Sequence, residues 1–280
     1  SGNTSVQPET SISKTVGFVY SPNWLQGFNL NMDYYKIDLE KALQPNGGQN
    51  IMDGCYVAGN LADCSRIVRG PSGAITVLND SITNIGGTIT DGIDIGATYE
   101  LPSMAAGQFK VGLDATYIRR YEQIFPNAST GGATVTELAG AERGGTVFPF
   151  GVPRWKARGN LIWNYSNWRV EWDIRYISAM TEPCSDFLDG TALSLTNMGL
   201  CSNPNYTNNS LSTNHLGQTV YHDVQANYNY DPAKMTFTFG IRNLFDKNPP
   251  SSTQQQLNSF DPTLYDVPGR FIYGRISVKF

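Results

Sequence analysis

The chain has 280 residues, enough for one or two soluble domains, yet only 16% of them are charged, 12% are aromatic and the net charge is -4. Charge is below the soluble average of about 25%, and the acidic balance argues against a nucleic-acid surface. No run approaches the roughly 18 apolar residues of a spanning helix; with a mean hydropathy of -0.31 this excludes an α-helical membrane protein, but not strands that hide their hydrophobicity by alternating it.

The chain opens Ser1-Gly2-Asn3-Thr4, polar and without the apolar core of a signal peptide, which fits a mature or cleaved product or a fragment. Strands are read from a period of two. The first covers about 11–20, with Val16, Phe18 and Tyr20 on one face. A short connection to Gly27 leads into the second, about 28–39, where Phe28, Leu30, Met32 and Tyr34 oppose Asn29, Asn31 and Asp33. A long insertion follows, about 40–80, with a short helix expected near 51–55 and a hairpin through Arg69-Gly70-Pro71-Ser72-Gly73. The third strand ends near Tyr99, and a short link over 101–107 returns into the fourth, with Phe109, Val111, Leu113, Ala115 and Tyr117 on one face. A second long loop, about 122–151, is rich in Gly, Ala and Thr and is expected to be mobile.

The fifth strand sets Trp155, Ala157, Gly159, Leu161 and Trp163 against Arg154, Lys156, Arg158 and Asn160. Tyr165-Ser166-Asn167 turns it back into the sixth, where Trp168, Val170, Trp172, Ile174 and Tyr176 oppose Arg169, Glu171, Asp173 and Arg175. A third long loop, about 178–217, precedes the seventh strand, with Val220, Val224, Ala226, Tyr228 and Tyr230 opposite Tyr221, Asp223, Gln225 and Asn227. Asp231-Pro232-Ala233-Lys234 is a tight turn with Pro where type I turns favour it. Met235, Phe237, Phe239 and Ile241 mark the eighth strand, with Arg242 at its end. A fourth long loop, about 247–266, leads to the last strand, where Ile272, Gly274, Ile276, Val278 and Phe280 alternate with Phe271, Tyr273, Arg275, Ser277 and Lys279.

Nine strands result, most near the ~9–11 residues of a membrane-crossing strand or longer, and the connections alternate short and long. Aromatics gather at strand ends: Tyr20, Trp24, Tyr99, Phe109, Trp163, Trp168, Tyr230 and Phe280 at one level, Tyr34, Tyr117, Trp155 and Tyr176 nearer the other. Two interfacial belts are expected; the alternative is a soluble β-sandwich, which also alternates. The four cysteines form two local pairs, Cys55/Cys64 and Cys184/Cys201, in polar loops without C-x-x-C spacing. They read as two loop-stapling disulfides in an oxidising compartment rather than four thiols of a cytosolic protein.

A closing strand of alternating apolar residues ending on Phe280 resembles the last strand of a bacterial outer-membrane β-barrel. Three further segments are similar to TonB-dependent outer-membrane receptors: Gly240-Ile241-Arg242-Asn243-Leu244-Phe245-Asp246, like their penultimate strand; Asp266-Val267-Pro268-Gly269-Arg270, like the lead into their final strand; and Gln7-Pro8-Glu9-Thr10, like a segment before a mid-barrel strand. The resemblance covers the whole chain in order. It implies an all-β antiparallel transmembrane barrel, with residues 1–280 supplying about nine C-terminal strands of about 22. An N-terminal plug, the earlier strands and the TonB-contacting segment would lie outside this chain.

Nine is odd, whereas a single-chain bacterial barrel is normally even. Short turns are expected in the periplasm and long loops outside, placing both cysteine pairs and residues 1–10 outside and Phe280 on the periplasmic side. Arg154, Lys156, Arg158, Arg169, Glu171, Asp173, Arg175, Asp223, Arg242 and Arg275 are expected to face the lumen. Arg158 can reach Asp173 directly or diagonally in either plausible register. Ile272, Ile276, Val278 and Phe280 would form the segment read by the outer-membrane insertion machinery, as the resemblance implies, or simply pack against lipid.

The same residues include the nearest approach to a catalytic arrangement. Glu171 and Asp173 share a face like a paired acid and base, but Arg169 and Arg175 flank them as in a salt-bridge ladder. His215 and His222 have no ligand cluster, no G-x-S-x-G occurs, and Gly86-Gly87 and Gly144-Gly145 are turn glycines rather than phosphate loops. No catalysis, metal or cofactor is expected. The expected function is binding and import of a scarce solute, with lipid, the plug and the TonB system as partners and no nucleic acid. The cysteine-bearing loops look more like those of glycan or organic-nutrient transporters than compact siderophore receptors. The alternatives are a passive porin and a structural or partner-binding barrel.

Overall fold

The computed structural model describes residues 3–127, 130, 132–143, 150–255, 259–267 and 269–279. In chain order its elements are β1 (Thr10–Tyr20), β2 (Phe28–Gln44), α1 (Gly48–Tyr56), α2 (Leu61–Cys64), β3 (Ile67–Arg69), β4 (Ile75–Leu78), β5 (Thr83–Glu100) and β6 (Gln108–Asn127). Then come β7 (Gly132–Glu137), β8 (Ala141–Arg143), β9 (Phe150–Val152), β10 (Trp155–Tyr165), β11 (Trp168–Ile177), β12 (Met180–Pro183), β13 (Thr213–Leu216), β14 (Thr219–Tyr230), β15 (Met235–Arg242) and β16 (Phe271–Val278). Nine strands form one sheet in the order β1-β2-β5-β6-β10-β11-β14-β15-β16, and β7 adds to β6. These are the nine strands that alternation marks. The pairs from β6 onward are antiparallel.

The register explains why alternation was visible. Phe237 faces Ile276 and Ile241 faces Ile272, while Thr236 faces Ser277 and Thr238 faces Arg275. Apolar residues therefore line one face and polar residues the other. The apolar face is open: Phe239 is 55% and Ile276 62% exposed. Ile272 and Val278 lie on that face too, whereas Phe280 and Pro268 lie outside the described residues. The 231–234 turn forms as expected, with Lys234 N–H donating to Asp231 O at 3.0 Å and Lys234 in the left-handed region at φ 49°.

The chain divides into two compact units. The first comprises Ser1–Thr15, Tyr35–Asp91 and Arg120–Glu137. In it α1 takes the place of the expected short helix, and β3 and β4 form the expected hairpin, closed by Gly70 N–H to Ala74 O at 2.9 Å. The Cys55–Cys64 disulfide joins the end of α1 to α2. Glu9, in the segment before β1, accepts the Leu43 N–H at 2.7 Å. Strand β2 continues to Gln44 and β6 to Asn127, past the expected ends near 39 and 121. Ile124 pairs with Val135 and Phe125 with Thr134, so part of the stretch expected as loop is a hairpin. Alternation missed it because apolar and polar side chains are mixed on both of its faces.

The second unit comprises Val16–Tyr34, Gly92–Arg119 and Leu138–Phe280. Its long loops build a small sheet in the order β13-β12-β8-β9. These strands are three or four residues long, below the length at which alternation is legible. Ile177, Met180, Leu216, Tyr221 and Tyr265 form its core, with Phe260 and Leu264 against them. The Cys184–Cys201 disulfide in the same unit is also buried. Serine at both positions is expected to cost about 3 kcal/mol, the chain-entropy figure for a closed loop of this size. Limited proteolysis without reductant checks this: cleavage within 185–216 should accelerate at least tenfold, and an unchanged rate would refute it.

Candidate functional site

The polar face of β10, β11 and β14 carries the charged residues, and its register sets like charges directly opposite one another. Arg158 lies across from Arg175, and Asp173 across from Asp223. Repulsion is avoided because opposite charges pair diagonally. Arg158 Nη2 reaches Asp173 Oδ1 at 2.7 Å, and Arg175 Nε reaches Asp223 Oδ2 at 2.8 Å. Arg169 Nη2 binds Glu171 Oε2 at 3.1 Å on the same strand, as a ladder requires.

Arg175 is the hub. Besides Asp223, its Nη1 donates to Asp266 Oδ1 at 3.1 Å, and its guanidinium lies 4.9 Å from the centre of the Tyr221 ring. The fork of guanidinium donors suits two carboxylates at once, which an ammonium could not match. Asp223 also accepts the backbone N–H of Asn243 at 2.7 Å. Asn243 is buried at φ 49°, a left-handed position that asparagine tolerates better than most residues. Its side chain closes the following turn by donating to Lys247 O at 3.0 Å and accepting from Lys247 N at 2.8 Å. Asp246 then accepts the Arg270 N–H at 2.8 Å, and a Cβ on Gly269 would stand 2.5 Å from the same oxygen. Asn243 and Asp246 thus meet Asp266, Gly269 and Arg270, 20 or more residues away in sequence, in one knot around Asp223 and Arg175.

A pocket of about 840 Å³ opens over this face. Arg158, Asp173, Arg175, Asp223, Arg242 and Tyr273 of the wall line it, together with Tyr265 and Asp266 of the segment before β16. The Tyr273 ring crosses Gly240, where a Cβ would come within 2.2 Å of it, and its hydroxyl donates to Gln225 at 2.8 Å. Only glycine at 240 lets the ring reach that far across two strands.

Among the other expected charges, Arg154 donates to Arg119 O at 2.7 Å. Lys156 and Arg275 form no ion pair among the described residues. In the first unit, Arg120 pairs with fully buried Asp91 at 2.8 Å and with Glu122 at 3.6 Å. Sequence reasoning gave no role to Asp91, Arg120, Tyr221, Asn243 or Asp266. Tyr221 had a signal, since alternation sets it on the face of Asp223, and so did Asn243 and Asp266, which stand in segments already singled out. His222 packs against Trp172 and Phe245, with ring centres 5.7 and 5.0 Å away, and accepts the Trp172 indole N–H at 3.2 Å. Among the described residues no group of three or more His, Cys, Asp or Glu is placed to hold a metal. At the short-turn end Trp168 packs on Tyr228, with ring centres 4.8 Å apart.

A long-stranded sheet with an open apolar face and an ion-paired opposite face is the wall of a membrane β-barrel. Residues 1–244 match the family model for the TonB dependent receptor-like β-barrel, and the chain belongs to that family, whose members reside in the outer membrane. No curated protein matches it. Among solved structures, the FrpB iron transporter from Neisseria meningitidis (F3-3 variant) is similar at TM-score 0.58 and 14% identity, over 100% of this chain and 33% of that one. The outer membrane transporter YddB from Escherichia coli aligns at TM-score 0.60 and 12% identity, over 100% and 34%. The ferric enterobactin receptor PfeA from Pseudomonas aeruginosa aligns at TM-score 0.57 and 16% identity, over 98% and 32%. The likeness is one of fold, and the chain spans about a third of those proteins' length.

Replacing Arg175 by Met would leave Asp223 and Asp266 facing each other without their shared cation. We expect a loss of about 1–3 kcal/mol, discounted from a fully buried pair because these side chains are partly exposed. Arg175→Lys should recover less than half of it. Denaturant unfolding in lipid vesicles reads both, and equal stability of Met and Arg would refute the hub.

Proposed function

We propose that this chain forms part of the wall of an outer-membrane receptor that binds a scarce solute outside the cell and imports it under TonB power. The carrying observation is the two-faced sheet. Its apolar face is exposed and suits lipid, and its charged face, with the pocket, suits a wide lumen that is wet or plugged. β1 and β16 each have a single neighbour in the sheet order, which agrees with further strands completing the barrel. We place the short turns in the periplasm and the disulfide-stapled loops outside. Arg158, Asp173, Arg175, Asp223 and Arg242 then face the lumen, available to a plug or a passing solute. In this reading the apolar face of β16, through Ile272, Ile276 and Val278, serves both lipid contact and recognition during barrel insertion. The long stapled loops favour an organic nutrient such as a glycan, and no step requires catalysis.

The complete receptor should hold planar bilayers closed, and accumulation of its solute should stop when TonB is deleted. A steady open conductance with TonB-independent uptake would instead identify a passive porin. The lipid face has its own test. Ile276→Arg should cost about 2–4 kcal/mol in vesicles if the residue lies near the bilayer midplane. Ser277→Arg, on the other face, should cost less than half as much; equal costs would sink the facial assignment.

A further inference from the structure

A second polar cluster lies in the loop sheet of β13, β12, β8 and β9. Glu142 of β8, Glu182 of β12 and Asp261 are all buried, none more than 1% exposed. Glu182 is saturated with donors: Asn214 Nδ2 at 3.0 Å, Thr253 N and Oγ1 each at 2.9 Å, Gln254 N at 3.4 Å, and Ser252 Oγ. Asp261 accepts from Gly151 N and Thr263 N, each at 2.8 Å, and from Thr263 Oγ1 at 2.6 Å. Glu142 is different. Its Oε1 accepts from Gln255 Nε2, but its Oε2 is buried with no hydrogen-bond partner. A Cβ on Gly151 would come within 2.3 Å of that oxygen, so the strand backbone closes over it.

The groups facing Glu142 are Glu182 from β12, Asp261 and Tyr265 from the segment before β16, and the Gln255 amide. Its neighbour Arg143 is exposed, and among the described residues no basic side chain forms an ion pair with Glu142. Burial, partly opposed by the Gln255 hydrogen bond and reinforced by Asp261 and Glu182, pushes its carboxyl up to about 7. Burial also raises the Tyr265 hydroxyl, with Glu142 the next cause.

Ser252 to Gln255 hold the two glutamates. The strap is the stretch 261–266: Asp261 accepts the Gly151 N–H, Tyr265 lies in the loop core, and Asp266 is bound to Arg175. Tyr265 and Asp266 also line the charged pocket. We propose that Glu142 is a proton-operated clamp: neutral, it keeps the strap seated over the pocket, and ionised, it lets the strap go. A neutral carboxyl avoids burying a charge whose second oxygen has no hydrogen-bond partner and which, among the described residues, no basic side chain pairs. The seated strap binds this proton more tightly than the released strap. Seating is therefore fully favoured below pH about 4.5, weakens as pH rises through about 7, and changes little above that. The seated-to-released ratio should fall roughly 10- to 300-fold across that window. The device does not depend on which solute is carried.

Hydrogen exchange on the detergent-solubilised receptor tests this at the Gly151 amide, which donates to Asp261 of the strap, corrected for intrinsic rates. Protection in the wild type should drop at least tenfold between pH 5 and pH 8, while Glu142→Gln should stay protected at pH 8. A wild type without pH dependence, or a variant that follows the wild type, would overturn the clamp. Infrared difference spectra keep the idea exposed should the variant fail to assemble. The wild type should lose a buried carboxylic C=O band with a midpoint near 7, and a midpoint at an ordinary carboxylate value would be decisive against it.

Discussion

The antiparallel ladder is the constraint on which the rest depends. A segment crossing hydrocarbon must satisfy every backbone N–H and C=O within the protein, which strands achieve only through neighbours. Once the ladder is set, side chains alternate by geometry, and a slip of one residue would turn every charge toward the apolar face. The pairing of Phe237 with Ile276 and of Thr238 with Arg275 is therefore one decision made along the whole strand.

The charged face follows from that register and then has to solve its own problem. Direct neighbours in β10, β11 and β14 carry like charges, so the favourable contacts run obliquely. Arg175 is held by Asp223 on the neighbouring strand and by Asp266 from a loop. That second bond couples the position of the loop to the wall. Asp246 holds the same loop by accepting the Arg270 N–H, so the pocket's shape is set by the backbone as well as by its charges.

The strands were legible because each face of a wall strand meets one kind of environment. The Arg158–Asp173 contact was legible too, since either plausible register brings the two within reach. Asp266 was not assigned to Arg175, because 91 residues separate them and nothing local announces the meeting. The loop sheet was hidden for a related reason. Strands as short as β8 carry no period, and nothing local marks Glu142, Glu182 and Asp261 as buried. The hairpin of β6 and β7 was lost where the faces mix.

Each disulfide closes within a single loop, between cysteines 9 and 17 residues apart. A bridge of that kind needs no strand to be in place before it forms. A mispaired bridge between the two loops would require a much longer and less favourable closure. If, as proposed, these loops lie outside the cell and are tied before insertion, the insertion route must pass compact knots rather than extended thread, which sets a lower limit on how far the wall has to open while it is being built.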